Sequence, residues 1–216
     1  MNLDRIPGAR TAADLLRGRR PARLEQNRVV TEWEQAGRPI PPPPEVKQHV
    51  LLEYTRRYGL GTFVETGTFL GDTAAAMEPH IDRLVTIEIS PELAARARER
   101  FAAKRRVRII EGDSGRVLPA ILDELREPAL FWLDGHFSGG ITGRGDEDTP
   151  VRTELRAVLD HPLKSHVILI DDARDFTGGD YPTLEEVAEL VRTHGDDYSF
   201  DVRDDIIRLT PLNQDT

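Results

Sequence analysis

The 216-residue sequence contains no cysteine, which excludes disulfide bridges, a thiol nucleophile and zinc sites built on cysteine. It has no apolar run near the roughly 18 residues that a membrane-spanning helix needs. No apolar stretch follows the basic pair Arg19 and Arg20, so the sequence predicts no secretory signal. These absences favour a cytoplasmic protein without a membrane partner.

Positive charge is also scarce, since 29 basic residues face 38 acidic ones and the net charge is −9. Proteins that coat nucleic acid need a basic face, so we expect no nucleic-acid partner. Residues 1–44 carry a balance of +3 and end in Pro41 to Pro44, whereas residues 45–216 carry −12. We therefore divide the chain into a basic arm, 1–44, and a main domain, 45–216. The arm is expected to pack on the main domain or on the partner subunit of a homodimer, or else to cover the substrate as a lid.

The main domain alternates between strand and helix patterns. Five strands are predicted at residues 62–66, 83–89, 107–110, 129–133 and 166–170, each followed by a helix. Two further strands, 198–202 and 206–210, predict a terminal antiparallel hairpin. Five successive β–α units indicate a doubly wound, mostly parallel α/β sheet with helices on both faces. In such sheets, ligands bind beyond the carboxyl ends of the strands, near the point where strand order reverses.

Carboxylates follow all five parallel strands. The five ends carry Glu65-Thr66-Gly67, Glu88, Asp113-Ser114, Asp134 with His136, and Asp171-Asp172. Clustered carboxylates repel one another unless a cation or hydrogen-bond donors compensate them. The five strand ends therefore predict a binding site at one edge of the sheet.

The loop after the first strand indicates what kind of ligand this site takes. Gly67 and Gly71 allow the backbone to approach a ligand closely. A dinucleotide-binding loop would read G-x-G-x-x-G, but Phe69 stands at its third position, so that fingerprint fails. Glu65 suits an ammonium group and Glu88 suits a ribose diol.

The residues after the third strand indicate the remaining part of the ligand. Asp113 or Ser114 can accept a hydrogen bond from the exocyclic amine of adenine. An ammonium group, a ribose and an adenine together describe S-adenosylmethionine (SAM).

These residues resemble a known superfamily. Glu65 to Gly71, with the sequence ETGTFLG, is similar to motif I of class I SAM-dependent methyltransferases, E/D-x-G-x-x-x-G. The resemblance covers about residues 60–211 and implies a Rossmann-like methyltransferase fold that ends in the hairpin. The cofactor-binding residues that it implies are Glu65, Thr66, Gly67, Thr68, Gly71, Glu88, Asp113, Ser114 and Asp134.

The ends of strands four and five resemble a narrower group, the metal-dependent O-methyltransferases of the catechol and macrocin types. Asp134, Asp171 and Asp172 match the Mg²⁺ ligands of that group, and the all-aspartate set is closer to the macrocin type. The resemblance implies O-methylation of a small hydroxylated molecule, a sugar or a natural product, whose hydroxyl is activated by Mg²⁺. His136 is then the expected general base, and it forms the expected catalytic pair with Asp134.

Each of these roles has an alternative. Asp134 would contact only the methionine part of the cofactor, Asp171 and Asp172 would cap the next segment, and His136 would bond to backbone. Two other function classes also stay open: a Rossmann-type NAD(P)-dependent oxidoreductase, which Phe69 disfavours, and a non-catalytic nucleoside-binding module, which the intact acids disfavour.

Overall fold

A computed structural model describes residues 27–135, 150–194 and 197–212 of the protein. The helices are α1 (27–35), α2 (Pro44–Arg57), α3 (Asp72–Met77), α4 (Pro91–Arg100), α5 (Ser114–Leu122), α6 (Val151–Asp160) and α7 (Leu184–His194). The strands are β1 (Thr62–Thr66), β2 (Arg83–Glu88), β3 (Val107–Glu111), β4 (Ala129–Leu133), β5 (Val167–Ile170), β6 (Tyr198–Arg203) and β7 (Ile206–Pro211). Short 3₁₀ turns follow α3 and β5.

The seven strands form one sheet in the order β3-β2-β1-β4-β5-β7-β6. Strands β1 to β5 are parallel, whereas β7 pairs antiparallel with β5 and with β6. The predicted doubly wound α/β sheet with a terminal hairpin is therefore confirmed. Strand order reverses between β1 and β4, so the crevice at their carboxyl ends is the place where this architecture binds ligands.

Successive side chains along the buried strands point to opposite faces of the sheet and pack into two hydrophobic cores, one on each face. Val64 and Phe131 belong to the core beneath α5, α6 and α7. Phe63 and Trp132, their neighbours in sequence, belong to the core beneath α2 and α3. Among the residues in the described ranges, no helix is long and apolar enough to cross a membrane.

Five strand boundaries differ from the predicted ones by one residue each, at the ends of β2, β3, β6 and β7 and at the start of β5. The difference at β5 has a clear physical reason. The sequence pattern predicts that the fifth strand begins at His166, but β5 begins at Val167. The buried His166 ring accepts a hydrogen bond at Nδ1 from the Ala129 amide over 3.1 Å. A side chain thus takes the hydrogen bond that a strand partner would take at this position.

The described part of the arm lies against the main domain. Trp33 is buried, and its indole nitrogen donates to the Pro39 carbonyl over 2.8 Å. The guanidinium of Arg38 lies over the Trp33 ring and forms an ion pair of 3.5 Å with Asp204 in the hairpin turn. The arm runs directly into α2, since the Val46 amide donates to the Pro43 carbonyl. A domain boundary after residue 44 stays a prediction.

Candidate active site

The loop after β1 packs tightly against the end of β4. Gly67 has a φ of +82°, and a Cβ atom placed on it would lie 2.3 Å from the Asp134 carbonyl oxygen. The Asp134 amide in turn donates to the carbonyl and to the hydroxyl of the buried Thr66, over 3.2 Å in each case. Gly67 is therefore required by the contact between β1 and β4, whereas the sequence suggested close approach to a ligand.

The backbone amides of this loop are largely used within the protein. The amides of Gly67 and Thr68 both donate to the Ile87 carbonyl, over 3.0 and 3.1 Å. The Phe69 amide donates to a Glu88 carboxylate oxygen over 2.8 Å. Recognition of a ligand at this point consequently falls to side chains, not to these three amides.

Glu65 is buried at the end of β1. Its carboxyl accepts a hydrogen bond from the Thr86 hydroxyl over 2.7 Å, and that hydroxyl lies 2.6 Å from the hydroxyl of Thr68. Burial raises the pKa of Glu65 to about 8, the Thr86 bond opposes that shift, and the nearby charges of Asp134 and Glu88 add to it. The raised pKa favours the uncharged form of Glu65 at neutral pH.

Glu88 fixes the end of β2 to the first loop. Its two oxygens accept hydrogen bonds from the amides of Phe69 and Ser90, over 2.8 and 2.9 Å. A carboxylate has about four acceptor sites, so two remain for a ligand diol. The Gly112 amide donates to the Glu88 carbonyl over 2.9 Å. That bond brings Asp113 and Ser114, at the start of α5, alongside β2.

The three predicted metal ligands lie together. One carboxylate oxygen each from Asp134, Asp171 and Asp172 lies within 4.8 Å of the others. Hard oxygen donors of this kind are what Mg²⁺ prefers, so the chemistry of the donor set fits that ion. The structure thus places the ends of β4 and β5 as the sequence pattern predicts.

Two cationic side chains already compensate this acidic cluster. The Lys47 ammonium, on α2, lies 2.6 Å from Asp171 Oδ2 and 3.0 Å from Asp172 Oδ1. Arg174 lies 2.8 Å from Asp172. Burial lowers the pKa of Lys47, but the charges and hydrogen bonds of the two aspartates outweigh it and raise the pKa above its ordinary value. Repulsion among the carboxylates therefore does not by itself require a metal.

The terminal hairpin holds the segment that carries Asp172. Asp204 and Asp205 form its two-residue turn with φ values of +55° and +63°, as a tight β-hairpin requires. The buried Asp205 carboxylate accepts a hydrogen bond from the Arg174 amide, and the Asp205 carbonyl accepts one from the Ala173 amide, both over 2.8 Å. The hairpin thereby supports the carboxyl edge of the sheet.

Sequence reasoning missed Lys47, Arg174 and Asp205 as members of this site. It also missed Tyr181, whose phenol pKa is raised by burial and by the charges of Asp175, Asp172 and Asp134. No sequence signal marks Lys47, which simply follows Val46 of the apolar stripe of α2. The predicted base His136 lies outside the residues that the structure describes.

Comparison of the sequence with known proteins gives a partial match. No family model matches the chain. A stretch of 67 residues is 39% identical to a ribosomal RNA small subunit methyltransferase A from Acidobacterium capsulatum. That stretch covers 31% of this chain and 24% of the relative, so only about a quarter of the relative's length is matched.

Solved structures match over most of the chain. An O-methyltransferase from Bacillus cereus in complex with SAH (S-adenosylhomocysteine) has a TM-score of 0.59 and 17% identity, with 86% of this chain and 90% of that chain covered. An SAH-bound Podospora anserina methyltransferase has a TM-score of 0.55 and 18% identity, covering 96% and 100%. A SAM-bound O-methyltransferase of tomaymycin synthesis from Streptomyces achromogenes has a TM-score of 0.57 and 17% identity, covering 86% and 89%. The protein therefore has the Rossmann-like fold of these methyltransferases.

Proposed function

We propose that the protein is a SAM-dependent methyltransferase that acts on an oxygen atom of a small hydroxylated molecule, such as a sugar or a natural product. One observation carries the proposal: Glu65, Glu88 and Asp113 stand at the ends of the adjacent strands β1, β2 and β3. They lie beside the crevice where strand order reverses, and Gly67 packs the first loop onto β4 there.

The residues at this edge match the three parts of the ligand. Glu65 would face the ammonium group, Glu88 would accept hydrogen bonds from the ribose hydroxyls, and Asp113 or Ser114 would accept from the adenine amine. When bound, SAM supplies an activated methyl group on a sulfonium. The protein's part is then to hold an acceptor oxygen in line with that group, and such positioning removes much of the barrier.

The acceptor side of the proposal rests on the acidic cluster. Asp134, Asp171 and Asp172 would hold Mg²⁺, which would lower the pKa of an acceptor hydroxyl when bound. His136, two residues beyond Asp134, would take the proton that the hydroxyl loses.

We also propose that the acceptor is not RNA, because the main domain carries a net charge of −12 and would repel a phosphate backbone. We further propose that the protein acts in the cytoplasm. We also propose that residues 1–44, the arm, form the contact of a homodimer. Sedimentation of the full-length chain against a variant that starts at residue 45 tests the dimer.

The proposed activity is tested by binding first and turnover second. Titration of the purified protein with SAH should show one site per chain, whereas NADH should not bind. Incubation with methyl-labelled SAM and a panel of sugars, phenols and natural-product alcohols should then transfer label to oxygen. Tight binding of NADH without binding of SAH would instead support the oxidoreductase, and SAH binding without any turnover would support a binding module.

The pKa of Glu65 makes the proposed role of this residue measurable. A ligand ammonium beside Glu65 favours the ionised carboxylate, so SAH binding should release close to one proton at pH 7. Affinity should accordingly rise as the pH increases toward 8, the pKa of the free form. Calorimetry in two buffers with different ionisation enthalpies measures the released proton directly.

The matched variants are Glu65→Gln and Glu78→Gln. Glu65→Gln keeps the shape and can still accept the Thr86 hydrogen bond, but it should abolish proton release and weaken SAH binding about tenfold. Glu78 is also a mostly buried glutamate, paired with Lys104 over 2.8 Å, and its substitution should change neither quantity. Proton release that persists in Glu65→Gln would assign the titration to another group.

A further inference from the structure

We propose that Lys47 is the resident cation of the acidic cluster and competes with a divalent metal for the same carboxylates. The inference rests on the metal-assisted form of the proposed function. It starts from the position of the Lys47 ammonium, which bridges Asp171 Oδ2 and Asp172 Oδ1 at 2.6 and 3.0 Å. Both acids belong to the three carboxylates that gather within 4.8 Å of one another.

The contacts show why both cations cannot be accommodated. An ion of the size of Mg²⁺ sits about 2.1 Å from each ligand oxygen, so it would replace the ammonium between Asp171 and Asp172. The Lys47 side chain is only 20% exposed and that of Asp171 only 2%, so the ammonium and a dication would be pressed together with little screening by water. Metal binding therefore requires Lys47 to leave the aspartates.

The position of Lys47 on α2 determines which part of the residue can move when a metal binds. Lys47 lies in the first turns of α2, which packs on the same face of the sheet as α3 through the buried residues Val50 and Leu51. Its backbone is therefore fixed, and only the flexible side chain can move out of the cluster. Arg174 remains on Asp172 through its own contact of 2.8 Å. Lys47 is thus the cation that a metal displaces, and its departure sets the metal affinity of the protein.

The test measures binding of Mn²⁺ alone, without SAM or acceptor, by electron paramagnetic resonance of the free ion. Lys47→Met keeps the length of the side chain but removes its charge, and it should bind Mn²⁺ about tenfold or more tightly than the natural protein, because no charge-assisted hydrogen bonds have to be broken. Lys104→Met removes another ion-paired lysine, which lies just before β3 and so at the amino ends of the strands, and should leave affinity unchanged. Adding Asp171→Asn to Lys47→Met should cancel the gain.

A second measurement needs no variant. Saturating Mn²⁺ should increase labelling of Lys47 by an amine-reactive reagent, read by mass spectrometry, while labelling of Lys104 stays constant. Equal Mn²⁺ affinity in Lys47→Met and the natural protein, or labelling of Lys47 that Mn²⁺ does not change, would overturn the proposal. Because no methyl donor is present, this failure is distinct from a failure of methyl transfer.

Discussion

Replacing Gly67 with alanine should weaken SAH binding by about 100-fold or more and lower the free energy of unfolding by roughly 2 to 4 kcal/mol. The added methyl carbon would meet the Asp134 carbonyl oxygen at 2.3 Å, against backbone that cannot rotate away. The φ of +82° adds a cost of its own, because an L-residue with a side chain disfavours this conformation. The loop would move away from β4. Glu65 would then also move away from the acidic cluster.

Gly59→Ala is the matched control for this effect. Gly59 has a φ of +62°, but its Cβ would meet nothing within 4 Å. It should cost only about 1 kcal/mol of stability and leave SAH affinity unchanged. Chemical denaturation and calorimetry on both variants separate the backbone cost from the collision. If Gly67→Ala binds SAH as tightly as the natural protein does, the β1–β4 contact does not shape the binding site.

The fold was predictable because its signals are local. Each parallel strand is a short segment with two or more apolar residues, of which Ala129–Leu133 is wholly apolar, and a carboxylate stands at or beside its carboxyl end. Ser90 followed by Pro91 marks the start of α4, and the Ser90 hydroxyl does accept a hydrogen bond from the Leu93 amide. The parallel order of strands then places all the carboxylates at one edge. Proximity of Asp134 to Asp171 follows from topology alone.

What lay beyond prediction depends on contacts that are distant in sequence. Lys47 and Asp171 are 124 residues apart, and no pattern in α2 distinguishes this lysine from a solvated one. The raised pKa of Glu65 likewise depends on how completely its side chain is buried, which the sequence does not specify. Gly67 was recognisable as special, but the group that it avoids, the Asp134 carbonyl, was identifiable only in three dimensions.

The buried His166, at the opposite end of the sheet from the carboxylates, should make stability depend on pH. Its Nδ1 accepts the Ala129 amide hydrogen bond and must therefore be unprotonated, so Nε2 carries the proton toward His161 Nδ1, 3.0 Å away. His161 Nε2 then donates to the Leu122 carbonyl over 3.1 Å. Protonating His166 would break the bond to Ala129 in a site that water does not reach. Burial, assisted by the nearby His161 and Lys164, accordingly lowers the pKa of His166 to about 4.

The sign of the effect follows from proton linkage. Between pH 6.5, the ordinary value, and about 4, the unfolded chain binds a proton at His166 that the folded protein does not. The stabilising contribution is therefore complete above pH 6.5 and is lost as the pH falls toward 4, by about 2 to 3 kcal/mol. The raised pKa values of Glu65 and Asp171 act in the opposite sense over part of this range, so the slope of the whole protein is not the test.

The test is the difference between the natural protein and His166→Asn, whose amide does not titrate but can accept the Ala129 hydrogen bond. Glu65 and Asp171 contribute equally to both proteins and cancel in that difference. Urea denaturation at pH 7 and at pH 4 should show the natural protein losing about 2 to 3 kcal/mol relative to the variant. Carbon-13 NMR of the His166 ring reports its protonation directly and needs no variant. A difference in unfolding free energy that stays constant with pH would contradict this prediction, as would protonation of the His166 ring near pH 6.5. Either result would mean that water reaches the histidine pair and that the Ala129 hydrogen bond does not keep His166 unprotonated.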